Sequence, residues 1–329
     1  MLSLYPDDVG IILTYRCHGG CKHCLYNCGP HRSNEAMSIE TLRDALTAVT
    51  LWPQPPKVHL TGGEPFLHFD LLLEGTRIAA DLGITCYVET SAAWCLDEAA
   101  TTERFAALQD AGMQMVLISC SPFHAERIPP IRTLRAIRAA LATFGPQRTI
   151  IYQSSFLDVI QAFDVTRPTP LSQYEEHFDA EELGQLLWHG YGVLSGGRAG
   201  YALGHLIPKR PLAAFARTSC LSEMLYAPHS HFDLYGNVIP SFCGGLALGD
   251  WHTLPELIAD FQAEQYPPLI DILIEHGPHG LALMAQEMYG YQPLPEGYAG
   301  KCHLCVDVRR YLVAAGDFEA LRPQGFYEG

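Results

Sequence analysis

Through the first half of the chain, short apolar runs alternate with longer stretches whose apolar residues recur every third or fourth position. Short apolar runs bounded by turn signals read as buried strands, and the longer periodic stretches read as helices. The pattern predicts strands at residues 9–15, 57–61, 84–90, 114–120 and 148–154, and helices at 38–50, 68–82, 97–111 and 131–144. Ser38 stands where an N-cap hydroxyl would accept a first-turn N–H, and Gly83 and Gly112 stand at C-terminal cap positions. Repeated strand–helix units of this kind predict an α/β fold around a mostly parallel sheet.

The rhythm then changes. Residues 161–175, with prolines and threonines around Arg167 and a polar run after them, read as a loop or cover segment. A helix over 179–189 and a glycine-rich strand region over 190–204 would complete a sixth unit. Beyond about residue 205, prolines, short turns and separated cysteines dominate. We therefore expect one domain over residues 1–205 and a smaller one over 206–329.

Composition narrows the function classes. With 48% hydrophobic and 17% charged residues among 329, the chain has material for a large core and is no disordered protein. Its 21 Lys and Arg against 36 Asp and Glu leave a formal charge of -15, which repels nucleic-acid phosphates, and no basic cluster counters it. The opening residues lack the basic start and long apolar stretch of a secretory signal, and no window approaches the roughly 18 apolar residues of a membrane span. The expectation is a cytoplasmic protein with neither nucleic-acid nor membrane partners. Eleven cysteines, an odd number, fit neither a paired disulfide framework nor simple core filling, which leaves metal or cluster ligation.

Directly after the first predicted strand comes Cys17-His18-Gly19-Gly20-Cys21-Lys22-His23-Cys24, a CxxxCxxC spacing softened by two glycines. Three thiolates in one loop can converge on one metal centre. Alone, the spacing also suits a zinc knuckle; an iron–sulfur cluster usually takes four thiolates, so three leave one iron open. After the second strand stands Thr61-Gly62-Gly63-Glu64-Pro65. Paired glycines permit close backbone approach to a ligand, and Glu64 offers a carboxylate to an ammonium donor. Both motifs fall at the C-terminal ends of consecutive strands, where barrel-like folds build their sites.

Together these motifs resemble the radical S-adenosylmethionine (SAM) family, whose hallmark CxxxCxxC ends the first strand of a (β/α)6 partial TIM barrel. The resemblance implies a [4Fe-4S] cluster on Cys17, Cys21 and Cys24 that initiates radical chemistry by reductive cleavage of SAM, fed by a reduced flavodoxin- or ferredoxin-type donor. It assigns Gly62, Gly63, Glu64 and Pro65 to the SAM amino group and His23 to the adenine. Thr90 in Glu89-Thr90-Ser91, then Ser119 and Ser121, match places where the family sets polar SAM contacts, and Gly196-Gly197-Arg198-Ala199 resembles a segment frequent there, which adds Arg198. Thr90, Ser119 and Ser121 read equally well as strand ends satisfied by adjoining helices. Cys28 reads as a loop or surface thiol, because a fourth ligand would close the cluster to SAM.

The later cysteines are Cys220, Cys243, Cys302 and Cys305, and Tyr235-Gly236-Asn237 between apolar residues signals a hairpin that would fold Cys243 back toward Cys220. Zinc and [4Fe-4S] suit such a set equally on spacing. The set resembles the SPASM/Twitch extension, although Gly236 and Cys243 are farther apart than usual there. The absence of cysteine after Cys305 favours the shorter Twitch form, with a second, auxiliary [4Fe-4S] cluster accepting an electron. The expected activity is hydrogen-atom abstraction from a peptide or small-metabolite substrate, ending in oxidation or cross-linking. Competing readings are an epimerase with Cys120, or Cys95, as hydrogen donor and His124 as acid or base, and a non-catalytic iron–sulfur or zinc protein. Against the donor role, unligated cysteine commonly behaves as a small buried hydrophobe.

Overall fold

The computed structural model describes residues 5–52, 54–190 and 192–328. The chain divides into two units, one of Asp8–Cys21 with Cys28–Leu186, the other of Lys22–Asn27 with Leu187–Gly329 and the N-terminal residues through Asp7.

In the first unit, five strands follow the predicted runs: β1 (Asp8–Ile12), β2 (Lys57–Thr61), β3 (Cys86–Thr90), β4 (Met115–Ser119) and β5 (Thr149–Tyr152). Each pairs in parallel with the next, with Ile12 opposite Thr61, Leu60 opposite Val88, Thr90 opposite Ile118 and Ser119 opposite Tyr152. The crossovers are α1 (Ile39–Val49), α2 (Phe69–Asp81), α3 (Glu98–Asp110), then α4 (Pro122–Ala125) and α5 (Pro130–Phe144). Ser38 caps α1 by accepting from Thr41 N at 3.1 Å. Gly83 and Gly112 take the left-handed backbone (φ 71° and 106°) that ends α2 and α3.

Strand alternation separates two faces. Val9, Ile11, Val58, Leu60, Val88, Val116 and Ile118 are fully buried. Gly75 of α2 shows what covers them: a Cβ there would meet Leu42 of α1 at 2.4 Å and Leu60 at 3.7 Å. Each such burial contributes about 1.5–3 kcal/mol. The other face carries Asp8, His59, Thr61, Tyr87, Glu89, Leu117 and Ser119, and ends in Ile150 and Tyr152, exposed at 39% and 45%.

Two stretches depart from expectation. The cover segment 161–175 holds the start of a helix, α7 (Leu171–His177), which follows the short α6 (Leu157–Gln161) and begins at Pro170. Its prolines mark a helix start, where a missing N–H costs nothing, and Leu171 and Tyr174 bury one side. The predicted helix 179–189 is α8 (Ala180–Gly184) continued by π-helical Gln185–Gly190.

In the second unit, the glycine-rich strand expected over 190–204 is absent among the described residues; the segment turns into α9 (Ala199–Ala202). Gly192 and Gly197 are left-handed (φ 72° and 53°), which no extended strand accommodates. Then come α10 (Leu221–Leu225), β6 (His229–Asp233) and β7 (Val238–Pro240). The hairpin signal holds: β6 and β7 pair antiparallel around Gly236, and Asn237 Nδ2 donates to both Asp233 carboxylate oxygens at 3.1 and 2.9 Å. The stretch that lost its rhythm in sequence contains α11 (Leu254–Gln262), α12 (Pro268–Tyr289) and α13 (Lys301–Ala315). Helix α12 hid behind Gly277-Pro278, which kinks it (Gly277 φ 60°), yet Leu269, Leu273, Leu281 and Ala285 keep one buried side. No helix among the described residues is long and apolar enough to cross a membrane.

Loss of the Ser38 hydroxyl removes one cap bond, so Ser38→Ala is expected to lower unfolding free energy by about 1 kcal/mol while Ser38→Asp preserves it. Urea denaturation of the three proteins reads this directly.

Candidate active site

Past β1 the chain turns into the cysteine loop. Thr14 anchors it, donating to Glu35 O at 2.6 Å and accepting from Arg16 N at 3.1 Å. The loop closes through Cys17 N to Gly29 O and Gly29 N to Tyr15 O, both 3.2 Å. Gly19 lies between two sulfurs: its N–H points at Cys17 Sγ at 3.4 Å, and a Cβ there would stand 2.9 Å from Cys21 Sγ and 3.7 Å from Cys17 Sγ. A side chain would press on the sulfurs, so this glycine leaves the thiols room to share one partner. Burial, then the guanidiniums of Arg132 and Arg16, hold the His18 pKa below its ordinary value.

Cys24 belongs to the second unit. There Arg198 N donates to Cys24 O at 3.1 Å, and a Cβ on Gly197 would fall 2.2 Å from that carbonyl. The Arg198 guanidinium reaches Asn27 Oδ1 at 2.8 Å. The segment 196–199 thus clasps the backbone around the third cysteine. His23 is half-buried beside it. Cys28 is 3% exposed in the first unit, a buried loop thiol and not a surface one.

The paired glycines after β2 pack against the cysteine loop itself. A Cβ on Gly62 would lie 2.4 Å from Thr14 O, and one on Gly63 would lie 1.8 Å from Arg16 O. Backbone bonds replace those side chains: Gly63 N to Thr14 O at 2.7 Å and Glu64 N to Arg16 O at 3.0 Å. The close backbone approach expected of these glycines is made to the protein.

Glu64 is fully buried, and its carboxylate is already spoken for. Oε1 accepts from Thr90 Oγ1 at 2.8 Å and Phe66 N at 3.4 Å; Oε2 accepts from Ser91 N at 3.0 Å and from the Ser91 hydroxyl. These donors occupy both oxygens of the carboxylate in this structure. Glu64 is a positioning residue that ties the end of β2 to the end of β3. Burial raises its pKa, and the bonds from Ser91, Thr90 and Phe66 oppose that rise. Pro65 opens the 3-10 turn Pro65–His68 that Glu64 caps.

Thr90 is saturated in the same way, donating to Glu64 while accepting from Ala92 N at 3.0 Å and Trp94 Nε1 at 2.9 Å. Ser121 caps α4 and pairs with His124 Nδ1 at 2.7 Å; burial pulls the His124 pKa down to about 4, so the ring is neutral at pH 7. Ser119 is half-buried on the face opposite the helices. Cys120 and Cys95 are 1% and 0% exposed, and burial pushes each thiol up to about 12.

One cluster escaped sequence reading. On the face opposite the helices, His59 Nδ1 meets Asp8 Oδ1 at 2.6 Å and its Nε2 lies 3.9 Å from Glu89 Oε1. Tyr87 donates to Asp8 Oδ2 at 3.1 Å, and Thr61 donates to Glu89 Oε2 at 2.9 Å. The signal was the alternation Lys57-Val58-His59-Leu60-Thr61 and Cys86-Tyr87-Val88-Glu89-Thr90, which puts these polar residues on one side of two adjacent strands.

In the second unit the four later cysteines converge. The Cys220 thiol is pushed up by burial and then by the sulfurs of Cys305, Cys243 and Cys302. Cys243 feels Cys302 and Cys305 similarly, and Cys302, pushed up to about 11, feels Cys305. Cys302 and Cys305 share one face of the first turn of α13. Lys301, bonded to Glu223 at 2.7 Å, and buried Arg309, bonded to Gly244 O at 3.0 Å, offset this sulfur crowding. Four sulfurs with two cations beside them fit a metal centre that takes four thiolates.

Because a methyl on Gly63 overlaps Arg16 O, Gly63→Ala is expected to cost about 1–3 kcal/mol or more and to lower iron uptake by the cysteine loop. Urea unfolding and iron content after anaerobic reconstitution test both parts.

No curated protein matches the chain. Among solved structures, BtrN in complex with AdoMet and 2-DOIA is similar at 14% identity, covering 83% of this chain and 89% of that one, with a TM-score of 0.46. Native anSMEcpe with bound AdoMet is similar at 16% identity, covering 80% and 84%, with a TM-score of 0.40. Residues 11–144, the stretch that carries Cys17, Cys21, Cys24 and Gly62-Gly63-Glu64-Pro65, match the sequence model of the Radical SAM superfamily.

Proposed function

We propose that this chain is a radical SAM enzyme. The observation that carries the reading is the seat of Cys17 and Cys21 around Gly19, on a loop docked by Gly62 and Gly63, inside the stretch that matches the superfamily. When bound on Cys17, Cys21 and Cys24, a [4Fe-4S] cluster with SAM supplies a carbon radical able to take a hydrogen atom from an unreactive C–H bond.

The chain's own residues prepare that chemistry. Arg198 N holds the backbone of Cys24. Glu64, with Thr90 and Ser91, fixes the strand ends. With the Glu64 carboxylate engaged, the SAM ammonium falls to backbone carbonyls near Gly62 and Gly63, while Ser119, Ser121 and His23 remain proposed contacts to the rest of SAM. Asp8, His59, Tyr87 and Glu89 supply polar groups to the face where a substrate would lie.

The four sulfurs of the second unit support an auxiliary [4Fe-4S] cluster in a Twitch-like domain, able to accept the electron left after hydrogen abstraction. The proposed outcome is oxidation or cross-linking of a peptide or small metabolite, with a reduced flavodoxin- or ferredoxin-type protein as electron donor. A cytoplasmic setting is part of the proposal, since eleven cysteines, an odd number, fit no paired disulfide framework. The burial of Cys120 and Cys95 sets the epimerase second, because a hydrogen donor must reach the substrate.

Anaerobically reconstituted protein with dithionite and SAM is expected to release 5'-deoxyadenosine, and Cys17→Ala to fall to background; no nucleoside from well-loaded protein would sink the proposal. Iron analysis addresses the second site separately. About eight irons per chain are expected with two [4Fe-4S] clusters, and about four with one zinc if that site is structural. Changing Cys302 and Cys305 together to Ala is expected to halve the iron and spare SAM cleavage.

A further inference from the structure

Arg309 in α13 is 2% exposed, and among the described residues no carboxylate pairs with it. A buried guanidinium is costly unless an anion answers its charge. The groups that hold it are neutral. Nε donates to Cys305 O at 3.4 Å, and Nη1 donates to Gly244 O and to Tyr327 Oη, both at 3.0 Å. The Tyr327 hydroxyl, which burial pushes up to about 12, donates in turn to Gly245 O. The Phe326 and Tyr327 ring centroids stand 5.7 and 5.8 Å from the guanidinium carbon.

What answers the charge is sulfur. Cys302, Cys305 and Arg309 recur at i, i+3 and i+7 on one face of α13. The two carbonyls that accept from the guanidinium belong to Cys305 itself and to the residue after Cys243. Burial raises the Cys243 and Cys302 thiols, and the Arg309 charge opposes that rise in both. Lys301, the other cation beside the sulfurs, differs. Its side chain is 28% exposed and bonded to the Glu223 carboxylate at 2.7 Å, so that pair adds little net charge and is screened by water.

We propose that Arg309 is the internal counter-ion of the four-cysteine centre and raises the reduction potential of the [4Fe-4S] cluster it would hold. The inference deepens the auxiliary-cluster reading above and rests on it. Reduction adds one electron, and so one negative charge, to a centre that four thiolates already make anionic; the substrate radical of the proposed reaction supplies the electron. No bond to Arg309 forms and no proton moves. A fixed positive charge in a low-dielectric surround stabilises the added charge more than a solvated cation does. Arg309 acts through the cluster, as a positioning residue.

Changing Cys17, Cys21 and Cys24 to Ala in the full chain isolates this centre, leaving about four irons after anaerobic reconstitution. Dye-mediated redox titration followed by the EPR signal of the reduced cluster gives its midpoint potential without SAM. Arg309→Gln is expected to weaken the preference for the reduced state by about tenfold or more, a fall of about 59 mV or more for one electron. Arg309→Lys is expected to restore most of it, and Lys301→Gln to shift it less than Arg309→Gln does. Should Arg309→Gln fail to load iron, the protein with its native Arg309 still decides. A potential set by a buried charge holds steady between about 0.05 M and about 1 M salt, whereas one set by exposed charges moves. An unchanged potential in Arg309→Gln with about four irons bound, a larger shift from Lys301→Gln, or a salt-dependent potential would overturn this proposal alone. Zinc in place of iron would overturn the auxiliary-cluster reading and this proposal with it.

Discussion

The candidate site depends on one backbone-to-backbone contact. Gly62 and Gly63 lie against Thr14 and Arg16 with no space for a Cβ, and two short hydrogen bonds seal the contact. A strand end and a cysteine loop are thereby fixed to each other without any side chain that could change rotamer. Precision of this kind suits a site in which sulfurs and a ligand must meet within fractions of an ångström. Glu64 extends the same logic one strand further. Three of its four accepted bonds carry the position of β2's end across to Thr90 and Ser91.

That buried carboxylate also shows how a motif and its physical role can part. As a string of letters, Gly-Gly-Glu-Pro suggests glycines near a ligand and an acid for an ammonium. In three dimensions the glycines also pack on the cysteine loop, and the acid also ties two strand ends through hydroxyl and amide donors. A carboxylate buried without such donors would be costly, and the four bonds are what make a fully buried Glu64 tolerable.

The second unit uses its charges differently. Around the four cysteines, Lys301 and Arg309 offset sulfur crowding. Lys301 is held by the Ser219 carbonyl and the Glu223 carboxylate, and Arg309 by the Gly244 carbonyl.

Much was legible in sequence because the physics involved is local. The five parallel strands, the helices between them, the Ser38 cap and the turn at Gly236 follow from periodicity and from residues whose preferences act over a few positions. CxxxCxxC and Cys302-x-x-Cys305 were visible for the same reason: their ligands are neighbours in the chain. What sequence missed was nonlocal or ambiguous. Pro170 ends a loop and begins a helix, Gly277-Pro278 kinks a helix that continues, and the glycines of 190–204 turn where a strand was expected. Only tertiary structure could decide that Glu64 spends its acceptors on the protein, that Asp8, His59, Tyr87 and Glu89 meet across three strands, and that Arg309 bonds to Gly244. Each of those facts joins residues from separate parts of the chain, and a hydrogen bond between such residues exists only once packing has brought donor and acceptor within about 3 Å.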